Sequence, residues 1–234
     1  LLRKKCLNEP SPLWTLPQLM WLKAHEPESL ARVRHVLFMK DYIRHRLTGD
    51  YLTDSIEAMG AMLYDEEEGR WSEALCDLAG IPVSAMPQIV SPMDLAGTLT
   101  PEAVRETGLC PATKIIVGTT DTALEVYASG SVHVGQATIK LATAGRICPV
   151  TDYGICHEML VNYRHVVPGL WYPGTTNKTC AASYRWYRDV LCEGERKEAA
   201  ARGMSAYDYL NQAAMQTPPG ADGLCFHPYL QGEA

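Results

Sequence analysis

The stretch Val117-Gly-Thr-Thr-Asp-Thr-Ala-Leu-Glu-Val-Tyr-Ala-Ser-Gly130 decides how this chain is read. It follows Lys114-Ile115-Ile116, so an apolar strand runs into a glycine, two threonines and a single carboxylate before a helical pattern begins at Thr122-Ala123-Leu124. That order puts Asp121 at the carboxyl edge of a sheet, where open α/β folds bind their ligands. Gly118 permits a tight turn, and Thr119 and Thr120 add hydroxyls with little bulk. The same spacing suits a plainer role in which Asp121 only caps the helix. On these residues alone both readings stand.

Downstream, Leu141-Ala142-Thr143-Ala144-Gly145 is a turn between two β-like runs, 136–142 and 146–150. Small residues there let backbone amides approach a ligand, and phosphate is the common anion bound by exposed amides. A tight hairpin would want the same glycine. Together, Asp121 and this turn suggest a carboxylate and a phosphate cradle facing one cleft.

Upstream, the periodicity predicts a helix over 15–25 with Pro17 in its first turn, a short helix over 28–34, a buried strand over Val36–Met39, and a helix over 40–47 that stops at Gly49. Ser72 is placed to cap a helix that ends at Gly80, and Thr100 one that opens on Pro101 and ends at Gly108. The acidic run Asp65-Glu66-Glu67-Glu68 reads as a solvated turn, and Arg3-Lys4-Lys5 as a solvated cluster. Beyond Gly130 short strands are expected over 159–167, 170–173 and 224–227, and helices over 180–191 and 205–216. A boundary falls near residue 133, giving domains of 1–133 and 134–234 with α/β organisation on both sides.

Composition narrows the functional class. A formal charge of −6, with 27 acidic against 21 basic side chains, argues against a protein that tracks nucleic-acid phosphates. Nothing approaches the length of a membrane span or of a signal-peptide core, so a cytoplasmic protein is expected, without nucleic-acid or membrane partners. The eight cysteines lack any C-x-x-C pair and read as reduced thiols, mostly buried. Cys156-His157 has no second pair to complete a metal site, and Asn177-Lys178-Thr179 matches a glycosylation pattern by accident.

Six segments, in this order and spacing, resemble the FGGY carbohydrate kinases and their xylulokinase-like branch: TLPQLMWLKAHEPE (15–28), KDYIRHRLTGDYLTD (40–54), VGTTDTALEVYASG (117–130), LATAG (141–145), PGLWYPGTTNKTCAASYRWYRDVL (168–191) and GADGLCFHPYLQGE (220–233). The resemblance runs over nearly the whole chain. It implies an α/β, actin-like ATPase fold of two ribonuclease H-like domains, with this chain carrying the end of the first, sugar-binding domain and the start of the second, nucleotide-binding one. It also implies transfer of the γ-phosphoryl group of ATP, with Mg²⁺, to a hydroxyl of a small sugar, most readily a pentulose such as xylulose. Asp121 then matches the general base, and the turn at 141–145 matches the family's L-G-T-S-G, with Thr143 and Gly145 as its ATP contacts.

Departures from the family pattern bear on substrate and activity. Thr122 stands where xylulokinases usually carry a sugar-holding asparagine, Ala142 and Ala144 replace glycine and serine of the phosphate turn, and Gln18 replaces a frequent lysine. A non-catalytic sugar-binding or regulatory relative of the same fold is therefore the alternative reading. The family's amino-terminal phosphate loop and its adenine pocket are not found in these residues, so the chain reads as a middle portion. Relatives hold Mg²⁺ partly through that amino-terminal acid, and no residue here is assigned as a metal ligand. Small-molecule sugar and ATP are the expected partners, and a homodimer is left open.

Overall fold

The computed structural model describes residues 2–230 and 232; Gln231 and Glu233 of the last matched segment lie outside the described residues. The chain divides into two compact units, residues 1–138 with 148–174, and residues 139–147 with 175–234.

The first unit opens with α1 (Leu2–Cys6), α2 (Thr15–His25), α3 (Pro27–Ala31) and α4 (Met39–Thr48), then β1 (Leu52–Asp54) and α5 (Ser55–Gly60). A hairpin of β2 (Tyr64–Asp65) and β3 (Arg70–Trp71) leads to α6 (Glu73–Ala79), β4 (Gln88–Val90), β5 (Leu95–Thr98) and α7 (Pro101–Thr107). Next come β6 (Lys114–Ile116) and α8 (Asp121–Ala128). β1 and β4 pair in parallel, and β5 pairs antiparallel with β6. Sheets this small are not stable alone and depend on the helices packed on them.

Two apolar clusters hold this unit. In one, Leu16 and Leu19 of α2 meet Met59, Met62, Leu63, Leu75, Ile81 and Trp71. In the other, Ala123 and Val126 of α8 meet Ile56, Cys148, Val166 and Tyr172. Burial of side chains such as Ile56 and Val126, 1% and 2% exposed, stabilises by roughly 1.5–3 kcal/mol each, and this seats α8 against the start of α5. Asn162, fully buried, closes a polar knot in the same unit. Its amide donates to the carbonyls of Leu7 and Ile155, both at 2.8 Å, and its backbone N–H to Asn8 Oδ1 at 2.7 Å.

The second unit holds residues 139–141 of β7 (Ala137–Leu141), residues 145–147 of β8 (Gly145–Pro149) and β9 (Thr175–Asn177), strands of one three-stranded sheet, followed by α9 (Ala181–Leu191), α10 (Glu193–Ala201) and α11 (Ala206–Ala214). Antiparallel pairing sets Gly145 opposite Asn177 and Ile147 opposite Thr175.

Most expected helices are present within a residue or two. Gly49, Gly80 and Gly108 all sit in the left-handed region at helix ends, as a glycine stop requires. Thr100 Oγ1 accepts from Ala103 N at 3.1 Å; Ser72 occupies its cap position without a side-chain bond.

Several expectations fail. Residues 36–38 form no strand, because Val36 N bonds only to the carbonyl of Ala85 while Met39 already opens α4. Between 159 and 173 isolated bridges, such as Val161 to Gly174 and Arg164 to Trp171, replace strands, and 224–227 is irregular. The acidic run is not solvated throughout: Asp65, 1% exposed, pairs with Lys5 and accepts from the N–H groups of Glu67 and Glu68, and the Glu66 side chain pairs with Arg164 at 2.6 Å. Lys5 therefore belongs to the fold rather than to solvent. None of the eight cysteines forms a disulfide, and four of them are buried.

Candidate active site

Strand β6 ends at Ile116, and four residues carry the chain to α8. Their conformation is held from several sides. Val117 N donates to the carbonyl of Asp94 and Gly118 N to that of Pro92, both at 2.9 Å. Gly118 has φ +73, a backbone that side chains with a Cβ rarely adopt. The hydroxyl of Thr119, a residue 8% exposed, donates to Asp54 Oδ1 at 2.8 Å. Thr120 takes the cap position of α8 without a side-chain cap bond.

Asp121 is the first residue of α8, and its side chain is exposed. Its Oδ1 accepts from Thr122 N at 2.6 Å and from Thr122 Oγ1 at 3.3 Å. Asp121 thus stands one residue inside the helix instead of at the cap, and Thr122 touches it directly. Helix α8 buries its opposite side through Ala123 and Val126, which leaves Asp121 at the solvent end.

Beneath this loop lies a buried ionic network that sequence periodicity did not reveal. Asp41 and Asp54 are fully buried and Arg44 is 4% exposed. Arg44 Nη1 donates to Asp41 Oδ1 at 2.8 Å and to the carbonyl of Val117 at 2.9 Å. Its Nε and Nη2 reach Asp50 at 3.1 and 3.0 Å, and Nη2 also donates to the Leu52 carbonyl. Lys40 Nζ lies 2.6 Å from Asp41 Oδ1 and 2.8 Å from Asp54 Oδ2. A planar guanidinium with five donors suits such a junction, where a lysine would not. Burial pushes the Asp50 carboxyl up, but the hydrogen bonds from Arg44 and Thr48 outweigh it and the net displacement is downward.

Asp54 caps α5 by accepting from Ile56 N at 2.9 Å and Glu57 N at 3.2 Å. Glu57 itself is half-buried and its carboxyl is pushed up to about 7, chiefly by burial, with Lys40 opposing and the negative charges of Asp54, Asp41 and Asp121 adding to the rise. A visible signal for this part of the site is the order Asp54-Ser-Ile-Glu57, an acid followed three residues later by glutamate at a helix start.

Thr143 and Gly145 lie in the second unit, Thr143 on the turn between β7 and β8 and Gly145 as the first residue of β8. The carbonyls of Ala142 and Thr143 accept from Ala181 N at 2.9 Å and Cys180 N at 2.8 Å, so the turn is fastened to the first residues of α9. Gly145 is buried, and a Cβ there would stand 3.0 Å from Cys180 Cβ. The structure therefore joins Asp121 with Thr122 in one unit and Thr143 with Gly145 in the other. Among the described residues no group of three or more His, Cys, Asp or Glu side chains is arranged to hold a metal ion, and no helix is long and apolar enough to cross a membrane.

Residues 2–127 match the model of the FGGY family of carbohydrate kinases, N-terminal domain. The xylulose kinase of Bacillus subtilis (strain 168) is 30% identical over 228 residues, covering 94% of this chain and 42% of that protein. The gluconokinase of Bacillus licheniformis is 26% identical over 230 residues, covering 95% and 44%. Among solved structures, xylulose kinase from Rhodospirillum rubrum superposes with a TM-score of 0.88 at 28% identity, over 99% of this chain and 46% of that one. The chain spans less than half the length of these relatives, and its fold is theirs, the α/β actin-like ATPase type. With over half of its residues matched by the family model, the chain belongs to the FGGY family of carbohydrate kinases.

Proposed function

We propose that the whole protein is an ATP-dependent sugar kinase, transferring the γ-phosphoryl group of ATP to a hydroxyl of a small sugar, with a pentulose such as xylulose as its substrate. The observation that carries this reading is the placement of Asp121: an exposed carboxylate on the first turn of a helix whose entry loop is pinned by buried hydrogen bonds. Asp121 takes the proton from the attacking hydroxyl, which requires a carboxylate held still and open to substrate. Thr122, bonded to Asp121, faces the same substrate and stands where sugar selectivity is decided. Residues 1–133 act as the end of the sugar-binding domain, a division supported by the family match ending at 127, and residues 134–234 begin the nucleotide-binding domain.

Thr143 and Gly145 serve the nucleotide, Thr143 from the exposed part of the turn and Gly145, itself buried, by letting the turn sit close to the start of α9. Mg²⁺ arrives with ATP and neutralises phosphate charge. The acids of the buried network, Asp41, Asp50 and Asp54, are already engaged by Lys40 and Arg44, so none of them is assigned to the metal. The resemblance of whole relatives named for xylulose and for gluconate supports a sugar or sugar-acid substrate, and xylulose kinases recur among them.

The test is an ADP-release assay on the whole protein, coupled to a dehydrogenase, across pentuloses, hexuloses, polyols and aldonates. Sugar-dependent ADP release with a pentulose as the best substrate is expected. Sugar binding without ADP release from any of them supports the non-catalytic alternative, to which Ala142 and Ala144 point.

A further inference from the structure

Resting on the reading of Asp121 as the base, we propose that Thr119 and Asp54 are positioning residues for it: their side-chain hydrogen bond sets where the first turn of α8 stands.

Between the last residue of β6 and Asp121 the chain has four residues; Val117 packs its side chain inside, and Thr119 is the one whose side chain hydrogen-bonds into the buried interior. Thr119 Oγ1 reaches Asp54 Oδ1 at 2.8 Å, across a sequence separation of 65 residues. Asp54 is itself held from several sides. It is fully buried, its Oδ1 also accepts from the N–H groups of Ile56 and Glu57 in the first turn of α5, and its Oδ2 faces Lys40 Nζ at 2.8 Å. One carboxylate therefore fixes the start of α5 and, through Thr119, the entry to α8. Side-chain packing completes the arrangement, since Ile56 of α5 lies in one cluster with Ala123 and Val126 of α8.

Capping α5 accounts for the bonds from Ile56 and Glu57 but not for the one from Thr119. Nor does that bond cap α8, whose cap residue is Thr120. Its evident effect is on the residue two positions further on. A base must meet its proton at hydrogen-bond distance, and small displacements of a reacting group are costly, with about 1 Å worth up to about a hundredfold in rate.

The test compares wild type, Thr119→Val and Thr119→Ser in the whole protein, each checked for folding by thermal melting. Thr119→Val is close to isosteric and removes only the donor. It should lower kcat by about ten- to a hundredfold with the KM for ATP unchanged, and Thr119→Ser, which restores the hydroxyl, should recover most of it. Thr119→Ala, which places no methyl against the Asp54 carboxylate, replaces Thr119→Val if the latter does not fold. A folded hydroxyl-less variant with kcat within about twofold of wild type overturns the proposal, as does failure of Thr119→Ser to recover more than its valine counterpart. A wild-type protein that phosphorylates no sugar is a different result, since it overturns the role given to Asp121 itself and this proposal with it.

Discussion

Arg44 Nη1 lies 2.9 Å from the carbonyl oxygen of Val117, although the two residues are 73 positions apart in the chain. The contact ties a helix of the first half of the unit to the strand end that leads to Asp121. A guanidinium that is 4% exposed costs a great deal to bury, and it is tolerated because Asp41, Asp50 and two backbone carbonyls complete its hydrogen bonds.

Removing that side chain should be severe. Arg44→Leu leaves Asp41 buried beside Lys40 alone and strands the carbonyl of Val117, so a loss of about 3–5 kcal/mol is expected in denaturant titration. Arg44→Lys should recover only a small part, because a single ammonium cannot serve Asp41, Asp50, Leu52 and Val117 together.

Glu57 gives a pH signature. Its folded pKa of about 7 lies above the ordinary 4.5, so the folded state binds this proton more tightly than the unfolded one. The stabilisation is fully present below pH 4.5 and is lost as pH rises through about 7. Glu57→Gln removes the cost of a buried charge, to which the nearby charges of Asp54, Asp41 and Asp121 add. The variant should match wild type below about pH 4.5 and exceed it by up to about 3 kcal/mol above pH 7, as followed by melting temperature across pH. A difference that is the same at every pH would contradict this.

Gly145 provides a steric test in the second unit. A Cβ there meets Cys180 Cβ at 3.0 Å and Sγ at 3.3 Å. Gly145→Ala should destabilise by about 1–3 kcal/mol and, under the proposed function, raise the KM for ATP, because the turn must move off the start of α9. Cys180→Gly should relieve both effects. Cys180→Ala should not, since the nearer of the two contacts is the Cβ it retains.

How much of this was legible follows from where the determining contacts lie in the chain. Local signals worked: Gly49 and Gly108 stop their helices, Thr100 caps, and the order strand, Gly118, Asp121, helix is as expected. Asp41 and Arg44 were not legible, because charged residues at helical spacing read as a solvent face. Their burial is decided by Val117, 73 positions from Arg44, and by Asp54 through Lys40, contacts that helical spacing does not show. Val36-Leu37-Phe38 has strand composition yet lacks a neighbouring strand to pair with, and composition cannot supply one. Within the site, Asp121 was chosen from its own surroundings, whereas Thr119 and Asp54 acquire meaning only when the fold sets them at hydrogen-bond distance.

Under the proposed function phosphoryl transfer depends on Asp121, and the most direct measurement is sugar-dependent ADP release by Asp121→Asn in the whole protein, beside sugar affinity by calorimetry. Asparagine keeps the shape and removes the base, so phosphoryl transfer should fall by about 10²–10⁴-fold while sugar still binds. An Asp121→Asn protein that turns over at the wild-type rate would contradict the assignment.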